Sequence, residues 1–85
     1  MKILHVLRSG PDRLPLDLAR RQRDAHTVTV LLVQDAVSTP PPERPGAIYA
    51  LKADLEARGL AVGQAAVDYD EAIRLMAEHD RVIVW

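Results

Sequence analysis

TVTVLLVQDAV, residues Thr27 to Val37, carries the clearest strand signal in the sequence. From Thr27 to Val33 it is rich in β-branched side chains and apolar on both faces beyond Thr29. A strand with two apolar faces belongs in a parallel sheet covered by helices on each side, because an antiparallel sheet usually leaves one face wet. The run then stops on Gln34 and Asp35, with no Gly, Pro or Ser to mark a turn. This polar pair marks the end of a buried strand, at the edge where α/β folds meet ligands and partners.

Moving outward, KILHVL (Lys2–Leu7) reads as a second buried strand, closed by Arg8-Ser9-Gly10-Pro11. Between the two, PDRLPLDLARRQRD (Pro11–Asp24) reads as a helix. Leu14, Leu18, Ala19 and Gln22 form its inner stripe, Pro15 fits its first turn, and Asp12 and Asp17 lie early with Arg20, Arg21 and Arg23 late. On the other side, STPPPERPG (Ser38–Gly46) holds four prolines in nine residues and is expected as an extended loop.

AIYAL (Ala47–Leu51) reads as a short strand, followed by the helix KADLEARGL. There Leu51 and Leu55 face inward, Asp54 pairs with Arg58, and Gly59 ends the helix. AAVDY (Ala65–Tyr69) is a weaker strand. Asp70 is the expected cap of the helix EAIRLMAEH, with Ile73, Met76 and Ala77 on its inner face and Met76 as core filler. RVIVW (Arg81–Trp85) is a last strand. The alternation predicts an α/β fold with three layers, α/β/α, around a mainly parallel sheet of about five short strands. Eighty-five residues make one domain, 1–85, with a small core that subunit partners would support.

Composition narrows the function. The sequence is 48% hydrophobic and 27% charged, the pattern of a globular chain. A net charge of −1 argues against a nucleic-acid surface, no apolar run is long enough for a membrane span, and MKILHVLRSG is too short and polar for a signal peptide. The cytoplasm is the expected location. There is no cysteine, so disulfides, thiolate metal sites and persulfide chemistry on this chain are excluded.

No catalytic, cofactor-binding or metal-ligating residue is assigned. His5, His26 and His79 share no metal-ligand spacing. His5 reads as a hydrogen-bonded core residue, while His26 and His79 are expected in solvent. No nucleophile elbow or phosphate-binding glycine pattern is present. Asp68 and Asp70 flank Tyr69 and could do acid–base work, but capping is the simpler task for Asp70. Four residues stand out as interface or strand-end candidates: Gln34, Asp35, Tyr49 and Trp85. Gln34 and Asp35 are expected to hold the strand-end loop through side-chain-to-backbone bonds. Trp85 either caps the sheet's own core or anchors an interface, where Trp is enriched.

LLVQDAV, IYALKADLEARGL, VDYDEAIRLMAEHD and Trp85, taken in order, resemble the DsrH/TusB family of sulfur-relay subunits, and LHVLRSG resembles the family's start. The resemblance implies a DsrE-like fold. It also implies assembly with DsrE/TusD-like and DsrF/TusC-like subunits, often as a heterohexamer. Such a complex passes persulfide sulfur to a DsrC/TusE-type carrier, for 2-thiolation of the tRNA wobble uridine or for sulfur oxidation. Some members have a cysteine; here the active one would sit on a partner. The proline-rich segment after Val37 also departs from the helix expected of the family. Two readings from other classes stand beside this one: a stand-alone homo-oligomer that binds a small molecule, and an enzyme using Asp68, Asp70 or His5.

Overall fold

In the computed structural model, residues 1–9, 13–38, 46–63 and 65–85 are described, those at 13–16 by backbone only. The expected loop between Ser38 and Gly46 and the expected helix start at Pro11 and Asp12 fall largely outside these residues, as does the Leu14 end of the stripe.

The strands are β1 (Lys2–Leu7), β2 (Thr27–Leu32), β3 (Ala47–Leu51), β4 (Ala66–Val67) and β5 (Arg81–Val84). They form one sheet in the order β4-β3-β2-β1-β5, and every pairing is parallel. The apolar run at Thr27–Val33 supplies the middle strand, in register from Lys2↔Thr27 to Leu7↔Leu32 on one side and from Thr29↔Ala47 to Leu32↔Ala50 on the other.

Handedness sets the layers. The chain steps from β1 through β2 and β3 to β4 in one direction, so right-handed crossovers put the intervening segments on one face. These are α1 (Arg13–Gln22), a 3₁₀ turn (Gln34–Ser38) and α2 (Lys52–Ala57). The crossover from β4 to β5 runs back over the whole sheet and puts α3 (Tyr69–Glu78) on the opposite face. Leu7, Val30, Leu32, Ala36, Val37 and Leu55 pack together on the first face, and Leu4, Val6, Leu31, Leu51, Val67 and Ala72 on the second.

Two glycines answer to backbone geometry. At Gly46 a Cβ would stand 2.0 Å from the Val28 carbonyl oxygen, so only glycine lets β3 enter this close to β2. Gly59 (φ 66°) ends α2: its N–H donates to the Glu56 carbonyl and that of Leu60 to the Leu55 carbonyl, a Schellman pair. Leu51 and Leu55 are buried as expected, and Arg58 lies 3.8 Å from the Asp54 carboxylate.

Three expectations are corrected. Helix α3 is capped by Asp68, whose Oδ1 accepts the Glu71 N–H at 2.8 Å, and not by Asp70. Its inner residues are Ala72 and Leu75, whereas Ile73 is 64% exposed and Met76 39% exposed, so Met76 does not fill the core. His79 is half-buried rather than solvated. Its Nδ1–H donates to the Leu75 carbonyl, and its Nε2 accepts from the Thr29 hydroxyl at 2.9 Å, which ties α3 to the middle strand. His26 is half-buried too, and its Nδ1 is shut from solvent without a hydrogen-bond partner among the described residues. His5, by contrast, is fully buried in the core, as its place in β1 predicts.

Candidate functional site

Because the strands are parallel, all their carboxyl ends reach one edge of the sheet, where the chain turns out into helices. In open α/β sheets ligands bind outside the carboxyl ends of the strands. On the α3 side this edge opens into a cleft of about 400 Å³. Its floor comes from the strand ends, with Val6, Leu31, Leu51 and Val84. Tyr69, Ile73 and Met76 of α3 form one wall. These wall residues recur at helical spacing, and Tyr69 and Ile73 are more than half exposed. The cleft is apolar because α3 covers β1 and β4 but leaves the α3 side of β5 open: Val82 and Val84 are 39% and 57% exposed.

Arg8, Gln34 and Asp54 supply the polar rim. Gln34 explains how the apolar run ends without a glycine: it takes the left-handed conformation itself, at φ 52°. Its backbone N–H donates to Asp54 Oδ2 at 2.7 Å, so a carboxylate from α2 holds the turn. Ala36 and Val37 then bury themselves as the inner side of the 3₁₀ turn. The Arg58 guanidinium joins the two segments, with 2.8 Å to Asp35 Oδ1 and 3.2 Å to the Asp54 carbonyl. The Asp35 side chain is 80% exposed, so this ion pair contributes at most about 1 kcal/mol. The strand-end bonds thus differ from the expected ones. Gln34 contributes its backbone to the Asp54 carboxylate, and the Asp35 side chain bonds the Arg58 side chain rather than backbone.

Trp85 and Tyr49 lie elsewhere. Trp85 is half-buried on the face that carries α1 and α2, packed against that cluster. Its indole Nε1–H donates to His5 Nδ1 at 3.0 Å, and the two rings stack at 6.1 Å between centroids. With Nδ1 accepting, the His5 proton sits on Nε2 and is donated to Gln22 Oε1 at 2.7 Å. Arg8 Nε donates to the Trp85 carbonyl at 2.7 Å and links this cluster to the cleft rim. Tyr49 is half-buried on the α3 side, in a separate shallow depression with Val67, Leu75 and Arg74. Gln34 therefore meets the cleft, Asp35 flanks it, and Tyr49 and Trp85 stand on opposite faces of the sheet. The cleft residues not singled out from the sequence are Arg8, Asp54, Tyr69, Ile73, Met76 and Val84. The Asp68-x-x-Glu71 spacing, a capping signature, carried the signal that would have turned α3 to its observed face.

At the rim, Asp54 is engaged by Gln34 and Arg58, and Arg8 by Trp85, so the surface offered outward is chiefly hydrocarbon. Among the described residues no His, Asp or Glu group is arranged to hold a metal ion, and no helix is long and apolar enough to cross a membrane.

The fold and cleft define a small, all-parallel α/β protein with an apolar opening at its strand ends. A family model described as "DsrH like protein" matches residues 20–82, and the chain belongs to the DsrH family, whose members are in general subunits of sulfur-relay complexes. The match takes in the LLVQDAV, IYALKADLEARGL and VDYDEAIRLMAEHD motifs and stops short of LHVLRSG and Trp85. No curated protein matches the chain.

Proposed function

We propose that this chain is a non-catalytic subunit of a cytoplasmic sulfur-relay complex of the DsrEFH/TusBCD type. It seats a cysteine-bearing DsrE-like subunit on its carboxyl-edge cleft. The complex would serve persulfide transfer for tRNA wobble-uridine 2-thiolation or for sulfur oxidation. The observation that carries this reading is a chain with no cysteine whose strand ends open on exposed Tyr69, Ile73, Met76 and Val84. Sulfur relay needs a thiolate to attack a persulfide and hold the transferred atom, and a thioether cannot take that part. Exposed aromatic and Met side chains around a cleft suit a protein partner better than they suit water.

Intact-mass measurement after incubation with a persulfide donor tests the proposal. The isolated chain should gain no sulfur, while its complex with a cysteine-bearing DsrE-like subunit should load the partner. A stable gain of one sulfur atom on this polypeptide alone would overturn the reading. Partner loading that is equally fast with and without this chain would remove its role as scaffold.

A further inference from the structure

We propose that the outer edge of β5 pairs antiparallel with the β5 edge of a second copy of this chain, about a two-fold axis at Ile83. This goes beyond the sulfur-relay reading and does not depend on it.

Strand β5 ends the sheet, and among the described residues no strand pairs with its outer side. Natural edge strands are usually blunted by Lys, Pro, a bulge or a covering loop. Here the strand reads Arg81-Val82-Ile83-Val84, with its two valines exposed. Backbone direction fixes which groups are free. The Trp85 N–H donates inward to the Val6 carbonyl at 3.0 Å. Strand backbone alternates, so Ile83 also faces β1, whereas the amides and carbonyls of Val82 and Val84 face outward.

Only one short register lets these outward groups meet in a second copy. Val82 must stand opposite Val84 of the other copy, and Val84 opposite its Val82, each exchanging an N–H···O pair in both directions. That register places Ile83 against its own symmetry mate as a non-hydrogen-bonded pair. It also places Arg81 opposite Trp85 of the other copy.

The side chains agree with the backbone on both faces. Val82 and Val84 share the α3 face with Leu4 and Val6, their partners in β1. Across the axis they form two aliphatic cross-strand pairs. On the other face Arg81, which makes no ion pair among the described residues, brings a guanidinium beside the half-buried indole of Trp85. A slip of two residues would lose one hydrogen-bonded pair and separate both Arg–Trp couples. The result is an isologous contact that joins the five-stranded sheets of two copies into one. It uses the backbone edge of β5, while the proposed partner site is the cleft under α3; the two share only the Val84 side chain.

The cysteine-free sequence makes the register directly testable. A non-hydrogen-bonded antiparallel pair holds its Cα atoms about 4.5 Å apart, within disulfide range. Ile83→Cys should therefore form a disulfide-linked dimer on mild oxidation of the full chain. Val82→Cys should lag at least about tenfold, because two residues of offset put its Cα atoms about 8 Å apart. Val84→Pro removes an outward N–H without touching the bonds to β1, and should weaken self-association about tenfold or more in sedimentation equilibrium. Unchanged circular dichroism of the proline variant would show that the loss lies in pairing. A wild-type chain that stays monomeric at high micromolar concentration, or equal cross-linking of the two cysteine variants, would overturn the proposal.

Discussion

The two faces of the sheet are finished differently. On one, α1, α2, the 3₁₀ turn and Trp85 close over the strands, and even the polar core residue His5 has both ring nitrogens bonded. On the other, α3 alone spans the sheet and leaves Tyr69, Ile73, Met76, Val82 and Val84 in the open. Crossover handedness is the cause, since three successive steps in one direction put three segments on one side. The closed face holds the chain together, and the open face leaves apolar surface exposed where the proposed association would take place.

Truncating one apolar side chain on each face should separate the two. Leu32 is buried in the closed-face cluster, and Leu32→Ala should lower unfolding free energy by about 2–5 kcal/mol in urea titration. Ile73→Ala, on the open face, should change it by no more than about 0.5 kcal/mol in the isolated chain. Equal losses would erase the distinction.

A smaller effect is expected from the polar seam. His5→Leu keeps bulk but leaves the Trp85 indole N–H and the Gln22 amide oxygen without their partner, at a cost of about 1–3 kcal/mol. A variant as stable as the parent would mean that the closed face needs no polar tie.

Gly59→Ala should cost about 1–2 kcal/mol, since it forces a side chain into the left-handed region at the end of α2. The same denaturation series would show it. If the loss matched that of Leu32→Ala, the end of α2 and not the packed cluster would be limiting on that face.

The last contrast concerns association alone. Ile73→Ser should leave folding within about 0.5 kcal/mol yet lower affinity for a DsrE-like partner about tenfold or more, as loss of a buried apolar anchor does. Titration calorimetry against such a partner measures it. Undiminished affinity would move the docking surface away from the cleft.

Much of the fold was legible because periodicity is a strong signal in buried strands. β1 and β3 have the bounds their apolar runs suggest, β2 stops one residue short of Val33, and Gly59 ends α2 where its freedom is needed. The two-faced apolar pattern of Thr27–Val33 was enough to place it in the middle of a parallel sheet. The orientation of α3 was not legible by the same logic. The pattern assigns the greasier stripe, Ile73 with Met76 and Ala77, to the core, as suits a chain that satisfies itself. The chain instead buries the smaller Ala72 with Leu75 and leaves the larger side chains out. The expected cap, Asp70, lies two residues past the actual one, Asp68, whose carboxylate accepts the Glu71 N–H. The rim was hidden for another reason. Asp54 and Gln34 are twenty residues apart, and nothing local announces that a carboxylate will hold a left-handed glutamine.

Trp85 is the one tryptophan of the sequence, and it rests on the His5 imidazole with its indole N–H engaged. The protein therefore carries its own optical probe, placed on a single seam. Emission excited in the indole band will report the parting of β5 from β1 and the loosening of α1 behind His5. A ligand that fills the cleft under α3 can leave that emission unchanged, so a silent titration there is no sign of an empty site. A spectral change without loss of helix would place the event on the closed face or at the β5 edge.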